Sequence, residues 1–589
     1  MLFGVLKDDV MDYFKSRSRY GFAVIFLLCA ILTARLAHLQ VFQYEELARL
    51  SENNRVRMMP LKADRGFIKD RNGFLLVRNA PGYEVEMMKE DVPDIEALLD
   101  RLSPIVEFDR ARVLRAVNQS KLYEPVRIAR GLSFEQFSYL MQHSAEYVGV
   151  QFNIDPIRSY VDGDVFSHSL GYLAEVAPED VDGPEGYQSG DIVGKSGIER
   201  AFDVTLRGTA GVQQVEVDNV GRITEVLSQE APVPGKNVIL TIDYGLQNYI
   251  SELMDGRAGA VVVLDNIDNS VLAMYSAPTY DISYFAPFIT TENWDKLRLD
   301  SKNPLLNRTV EGAYPPGSVF KILVALAGLS EGIITPDTDY YCSGSYKFGP
   351  RSNIEHRCWR AGGHGAISLR RALSESCDVY FYNLGVAVGI DKLHEYATKY
   401  GLGHLSGIAL PNEKTGVFPS KEWKLETLKE QWWPGETVNI SIGQGYTTTT
   451  PLQIAIMYAS IFNGGTVYVP RIVDAYEDPL TGERERLPSE VLHSYPIDPK
   501  ISNVIMEGIV SGVEDGSGTA WRGRVKGLRY GGKTGTAQVI GRWTDAMRAN
   551  PNLVPENFRD HSWYAGIYPA DKPRYAVVVM VEHGGSGGA

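Results

Sequence analysis

The stretch "YPPGSVFK", Tyr314 to Lys321, decides how this chain is read. Two prolines and a glycine stop whatever precedes them, and the run "VFKILVALAGL" behind them has helical apolar spacing. Ser318 is therefore expected in the first turn of a helix. Residues three apart share a helix face, which puts the Lys321 amine within reach of the Ser318 hydroxyl, as a serine nucleophile with a lysine base requires. Taken alone, the pattern describes many ordinary surface helices. Its weight comes from two partners further along.

The segment "ALSESCDVYFYNLG" holds Ser376 and Asp378 one residue apart, and "GGKTGTAQ" presents Lys533, Thr534, Gly535 and Thr536 on a strand flanked by glycines. Acyl transfer has a use for each. A lysine base must be neutral, and burial together with a second ammonium close by, here Lys533, is expected to lower the pKa of Lys321. Ser376 between the two lysines can relay a proton to a leaving amine. The hydroxyls of Thr534 and Thr536 can bind a substrate carboxylate, and the backbone N–H groups of Ser318 and Thr536 can form an oxyanion hole. Gly535 is expected to let a peptide lie against the strand as an added one. Each residue also has a plainer reading: a helix cap for Ser376, a solvated strand position for Lys533, a bulge for Gly535. The order S-x-x-K, S-x-D, K-T-G within one chain outweighs them.

Length and charge set the surroundings. A chain of 589 residues, 44% hydrophobic, exceeds one core and implies several domains. A net charge of -14 with no long basic run argues against a nucleic-acid partner. Near the start, "KSRSRY" (Lys15 to Tyr20) precedes the charge-free "GFAVIFLLCAILTA" (Gly21 to Ala34), which Arg35 ends. That run is short for a span and compatible with a signal peptide. No A-x-A cleavage signal follows, however, and "RLAHLQVFQYEELARL" carries the helical pattern onward with Arg35 able to snorkel. Residues 20–42 are accordingly read as a single transmembrane anchor, 1–19 as a cytoplasmic tail, and the rest as extracytoplasmic. Residues 43–235 read as a mixed module with strands at "GYEVEMM" and "QQVEVD" and a helical insertion near 92–145. "EVLSQEAPVPGKNVILTID" (Glu225 to Asp243) punctuates a boundary. Residues 236–589 open on a hairpin, pass through helices and return to strands at "RYGGKTGTAQVI" and "RYAVVVMVEHG". The fold class is α+β, with an antiparallel sheet carrying a helical layer.

These motifs resemble those of the class B penicillin-binding proteins, in particular the elongation type, over nearly everything after residue 15. The resemblance rests on "RGFIKDRNG" (Arg65 to Gly73), "GKSGIERAFDVTLRGTAG" (Gly194 to Gly211), "NRTVEGAYPPGSVFK", "SIGQGY" and "GGKTGTAQ". It implies an anchor helix, an elongated non-catalytic pedestal (dimerisation) module and a serine β-lactamase-like transpeptidase domain at the bacterial cytoplasmic membrane. The implied activity is that of a peptidoglycan D,D-transpeptidase in cell elongation and rod-shape maintenance. Ser318 would attack the penultimate D-Ala carbonyl of a stem peptide, D-Ala would leave, and an amine of a neighbouring stem on lipid-linked glycan strands would resolve the acyl-enzyme. β-Lactam antibiotics would acylate the same serine, and no cofactor is needed for the chemistry. The implied partners are a SEDS-family glycosyltransferase of the RodA type and other elongation-complex proteins. Two features depart from the family pattern. Asp378 stands where S-x-N has an asparagine, so the amide's role does not carry over unchanged, and the chain stops at "EHGGSGGA" where the family usually adds a closing helix, so a truncated C-terminus is expected. Two other functions compete. A D-Ala-D-Ala carboxypeptidase or serine β-lactamase-like hydrolase needs a water-activating base, and no E-x-x-x-N element stands out. A non-enzymatic β-lactam sensor needs further spans or a signalling domain.

Of the four cysteines, Cys29 lies in the apolar segment, while Cys342, Cys358 and Cys377 fall near His364. Three thiols and an imidazole complete a tetrahedral set for a structural zinc, and Cys377, next to Ser376, would let the metal fix the catalytic segment from behind. Some elongation-type relatives are similar in holding zinc near this place. The spacing is not a standard knuckle. A Cys342–Cys358 disulfide with Cys377 as a buried thiol and His364 as a loop residue is the alternative, and the sequence leaves both open.

Overall fold

The computed structural model describes residues 2–45, 56–120, 125–177, 179, 181, 186–187, 190–217, 223–286, 288–349, 353–539 and 554–588. A helix, Leu2–Ala37, runs into a wider turn, His38–Phe42. Its apolar part, Tyr20–Phe42, is 23 residues long and 0% buried against the rest of the chain. At about 1.5 Å per residue that length crosses a hydrocarbon core of about 30 Å. The helix continues through Arg35, which makes it longer than the charge-free run alone.

Beyond the anchor, strands Val56–Leu61, Gly211–Val217 and Ile223–Glu230 pair antiparallel in that order. A second sheet, Pro125–Leu132, Tyr83–Met88 and Val150–Ile154, is covered by helices Ile95–Leu102, Arg110–Gln119 and Phe134–Gln142. Each helix opens on a side-chain cap: Asp94 accepts from the Ala97 N–H, Asp109 from the Arg112 N–H, and Ser133 and Gln136 form a reciprocal capping box. This unit has a core of its own, built on Val85, Met87, Leu98, Leu99, Val126 and Leu140. The insertion expected near 92–145 is thus helical except for one strand, Pro125–Leu132. Its buried Val126 and Ile128 alternate with half-buried Arg127, a two-residue period too brief to stand out between two helical patterns.

The punctuated stretch before residue 236 does lead into a new strand, Asn237–Leu240, but that strand lies inside a sheet common to both halves of the chain. It runs parallel to Ile68–Lys69 on one side and antiparallel to Val473–Glu477 on the other. The full order is Arg484–Arg486, Val473–Glu477, Asn237–Leu240, Ile68–Lys69, Leu75–Ala80, Ile157–Tyr160. Beside it sits a buried charge network drawn from the two N-terminal motifs. Arg65 donates to Glu199 at 2.6 and 2.8 Å and pairs with Asp203 at 2.8 Å, while Arg158 Nε reaches the other Glu199 oxygen at 2.8 Å. Glu199 is wholly buried, and its carboxylate faces two guanidinium groups, the buried Arg158 and the partly buried Arg65, which Asp203 also pairs.

The C-terminal half is organised on a five-stranded antiparallel sheet in the order Val271–Ala277, Gly259–Asp265, Tyr575–Val581, His561–Tyr568, Gly531–Ala537. The opening hairpin and both returning strands are where the sequence puts them, and His561–Tyr568 supplies the rung between. Helix Pro451–Phe462 packs on this sheet with every residue buried, as an all-round apolar helix must. Helix Pro499–Glu514 lies against the Gly531–Ala537 strand, and helix Lys321–Ser330 sits among the helices. The strand carrying Lys533 is therefore the sheet's terminal strand, next to the helical layer that carries Ser318.

Removing the Glu199 carboxylate strands the buried Arg158 cation, while Arg65 keeps Asp203, and the loss costs about 3–5 kcal/mol. Glu199→Ala is expected to lower the first thermal unfolding transition clearly, and Glu199→Asp by less. Differential scanning calorimetry of both variants measures it.

Candidate active site

The stretch ahead of Ser318 is fixed from two sides. Tyr314 exchanges both backbone hydrogen bonds with Thr449, at 2.8 and 2.9 Å. Its hydroxyl donates to Glu582 at 2.6 Å, and the buried Arg308 holds the same carboxylate at 3.0 and 3.1 Å. The chain then makes a tight 3-10 turn, Gly317–Phe320, before the α-helix begins at Lys321, so the first helical turn is narrower than expected. Gly317 has φ +57, and a Cβ there would lie 2.6 Å from the Thr536 carbonyl oxygen. Gly443, of "SIGQGY", has φ +70, and a Cβ there would lie 2.4 Å from Gly317 O. Two glycines thus let three backbone segments touch and press the half-buried Ser318 against the terminal strand.

Lys321 is fully buried. Its Nζ donates to Asp378 Oδ1 at 2.6 Å, to Ser376 O at 3.0 Å and to Ser376 Oγ at 3.2 Å. Three ammonium protons meet three acceptors. Ser376 adopts φ +55, a left-handed conformation that costs a non-glycine residue about 1–2 kcal/mol and here aims both its oxygens at Lys321. The other Asp378 oxygen accepts from the Trp359 N–H at 2.9 Å. Among the described residues no side-chain hydrogen bond joins Ser318 to Lys321.

Lys533 is also fully buried, and its Nζ donates to the Thr534 carbonyl at 3.1 Å. Burial pushes this amine well below the usual lysine range, and the Lys321 charge pushes further, with Asp378 opposing. The two amines differ in company: Lys321 has the Asp378 carboxylate, whereas Lys533 faces a carbonyl.

Thr534 is buried and Thr536 exposed on the same strand, with Gln444 Nε2 donating to Thr536 O at 3.2 Å. Gly535 turns out to serve packing: a Cβ there would stand 3.1 Å from both Pro316 O and Val319 Cγ1. All the sequence-chosen residues of the three motifs therefore converge. Gln444, Gly443 and Trp359 join them without having been singled out, although the G-Q-G in "SIGQGY" was a signal of close backbone packing.

The fourth cluster is built by a lobe of two small hairpins. Strand Tyr340–Cys342 pairs with Gly365–Ile367, Ser345–Lys347 pairs with Glu355–Arg357, and Cys377 precedes helix Asp378–Val388. Cys342, Cys358, His364 and Cys377 are all buried, with ligand atoms within 4.8 Å of one another. His364 Nδ1 is 3.5 Å from Cys342 Sγ and 3.6 Å from Cys358 Sγ. Around a tetrahedral ion with bonds of roughly 2.1–2.3 Å, such edges would measure about 3.6–3.8 Å. The cluster has the donors and the spacing to hold a metal ion. The cysteines are free thiols, so the disulfide alternative is not what the chain adopts. A hydrogen bond from Cys377 holds the Cys358 thiol well below the usual thiol range, while the same bond pushes Cys377 up. His364 Nε2 has no hydrogen bond and points toward Glu375, 3.9 Å away, which Arg371 grips at 2.9 and 3.0 Å. A carboxylate behind the imidazole is the outer partner that a ligating histidine ordinarily has.

The close approach at Gly317 makes a direct prediction. Gly317→Ala adds left-handed strain of about 1–2 kcal/mol and forces the Ser318 turn off the terminal strand, so modification of Ser318 by an acylating β-lactam is expected to slow about 10- to 100-fold. Stopped labelling with a fluorescent penicillin measures the rate.

Comparison with known proteins agrees with this geometry. Residues 259–589 match the penicillin-binding protein transpeptidase domain, and residues 60–240 the penicillin-binding protein dimerisation domain. Over 99% of its length the chain is 33% identical to the peptidoglycan D,D-transpeptidase MrdA of Acinetobacter baumannii, covering 87% of that protein, and 33% identical to MrdA of Escherichia coli, covering 94%. Among solved structures it is similar to Helicobacter pylori PBP2 in complex with MreC, with TM-score 0.78 and 28% identity over 90% of this chain and 96% of that one. It is also similar to Pseudomonas aeruginosa PBP2 in complex with WCK 5153, with TM-score 0.68 and 30% identity over 90% and 94%. A structure described as coordinating polymerization and crosslinking by a peptidoglycan synthase complex aligns with TM-score 0.67 and 31% identity over 97% and 95%. With its dimerisation domain, its transpeptidase domain and the three motifs gathered in one cleft, the chain belongs to the penicillin-binding protein family.

Proposed function

We propose that the chain is a peptidoglycan D,D-transpeptidase of the elongation type, with Ser318 as its nucleophile. The observation that carries this reading is the convergence itself: the Ser318 turn touches Thr536, and Lys321 is bound to Ser376 and Asp378. Ser318 Oγ attacks the penultimate D-Ala carbonyl, an ester forms, and D-Ala leaves with the proton the serine gave up. Ser376 Oγ, held by Lys321 Nζ, accepts that proton and passes its own hydroxyl proton to the leaving amine. Lys533, whose amine burial pushes well below the usual lysine range, acts on this pair through its charge, which lies close to that of Lys321. Backbone N–H groups of Ser318 and Thr536 receive the oxyanion, the Thr534 and Thr536 hydroxyls receive the terminal carboxylate, and Gly535 and Asp378 complete the substrate wall.

The lobe cluster is assigned to a structural zinc held by Cys342, Cys358, His364 and Cys377. When bound, the ion ties the two hairpins to the segment containing Ser376 and Asp378, and it takes no part in the acyl transfer. Residues 20–42 are assigned to a single-pass anchor in the bacterial cytoplasmic membrane, with 1–19 on the cytoplasmic side and the remainder outside. Residues 43–235 then form the pedestal and 236–589 the transpeptidase part. The partners proposed are a SEDS-family polymerase of the RodA type and elongation-complex proteins. The apolar helix and the relatives solved with MreC and within a synthase complex support this arrangement.

Five results test the reading. Ser318→Ala should abolish covalent labelling by fluorescent penicillin in a protein that still folds, and unchanged labelling would remove the nucleophile. Because protonation of Lys533 silences the relay, acylation should rise with pH through its depressed range. Lys533→Arg, which stays charged, should be slower by about 100-fold or more at every pH; fast turnover of a chromogenic cephalosporin by the wild type would indicate a lactamase instead. Metal analysis should find one zinc per chain, with chelation lowering the unfolding temperature; a metal-free protein carrying a disulfide would refute the zinc assignment.

A further inference from the structure

One large aromatic side chain beside the proposed centre has no part in the scheme above. Trp359 is 60% exposed, yet it is held at three points. Its backbone N–H donates to Asp378 Oδ2 at 2.9 Å, its indole Nε1–H donates to Glu375 O at 3.0 Å, and its ring meets His364 edge-on at 5.6 Å. A solvent-facing side chain ordinarily keeps its rotamer freedom. This one is tied through its ring to Glu375 and through its main chain to Asp378, the residues on either side of Ser376 and Cys377. One carboxylate separates its main chain from Lys321 Nζ.

The cleft has two unlike walls. The terminal strand Gly531–Ala537, which no other strand pairs on its outer edge among the described residues, is where the donor peptide lies in the proposed reaction. The opposite wall is Ser376 to Asp378, with Trp359 upon it. Transpeptidation needs a second peptide whose amine attacks the acyl-enzyme from the side the donor leaves open, and that is the Trp359 side. The amine arrives from water as an ammonium ion. An indole face attracts such a cation, and the neighbouring Asp378 carboxylate adds to the pull.

We propose that Trp359 is the acceptor-side substrate residue, its fixed indole face receiving the amine-bearing side chain of the second stem peptide. The proposal rests on the transpeptidase reading. In the step it serves, the ammonium first gives one proton to water; the neutral nitrogen then forms an amide to the acyl carbon, the bond from that carbon to Ser318 Oγ breaks, and the second proton lost by the nitrogen restores the serine hydroxyl. Trp359 orients the amine and exchanges no proton.

The test uses the full chain in detergent, a D-alanyl thioester as donor and a stem tripeptide with a free side-chain amine as acceptor. Products of aminolysis and hydrolysis are counted against acceptor concentration, alongside the rate of penicillin acylation and the zinc content. Trp359→Ala keeps the N–H to Asp378 but loses the indole bond to Glu375, so acylation and metal are measured on the same sample, and the acceptor concentration for half-maximal aminolysis is expected to rise about tenfold, well beyond any fall in acylation. Trp359→Phe, which retains a ring, should recover most of that loss. Trp359→Leu fills similar space without a ring and replaces the alanine variant if that one loses metal. An unchanged acceptor dependence in Ala and Leu variants overturns the proposal, as does acylation falling in step with aminolysis, since Trp359 would then be acting through Asp378. A wild-type chain that penicillin does not label refutes the underlying reading, and the proposal with it, by a separate readout.

Discussion

A lysine ammonium removed from water is the constraint around which this molecule is arranged. Burying a charge of this kind is prohibitive unless its protons are all met, and Lys321 meets them with a carboxylate, a carbonyl and a hydroxyl drawn from one three-residue segment. That demand explains why Ser376 accepts a left-handed backbone, why an acidic residue at position 378 is tolerated inside the fold, and why the segment is gripped from behind. It also divides the labour between the two lysines. With the counter-charge committed to Lys321, the second buried amine has a carbonyl for company and is driven toward neutrality.

Holding that segment in place is the work of the small lobe after residue 340. Trp359 clamps Asp378 and Glu375 through its main-chain and indole N–H groups, and the thiol and imidazole cluster surrounds Cys377 between the two polar residues of S-x-D. On the sheet side, bare glycines do the positioning: Gly317, Gly443 and Gly535 bring turn, loop and strand to backbone contact. The cleft is thus formed between a wall of hydrogen-bonded side chains and a wall of main chain.

At larger scale, the same logic ties the two halves of the chain. Arg65 and Glu199 come from motifs more than a hundred residues apart and form a buried ion network, while strand Asn237–Leu240 is shared in a sheet with partners from before residue 80 and after residue 470. A buried ion network is weak evidence for net stability but costly to leave half-made, so it fixes the way the halves meet.

Local sequence determined much here, because its signals were local. The breaker before Ser318, the glycines around Lys533, the hairpin at Gly259–Ala277 and the apolar anchor each follow from backbone preference and period. The membership of the site could be read from three short motifs in order. Tertiary structure alone decided which lysine receives the Asp378 carboxylate, since that depends on where Asp378 lies in space and not on its spacing. It decided as well that the three thiols meet His364 instead of pairing, that Gly535 serves the packing of the Ser318 turn, and that Trp359 is pinned at the cleft. Proton affinity, metal geometry and close packing are set by distances across the fold, and a linear spacing carries no information about those.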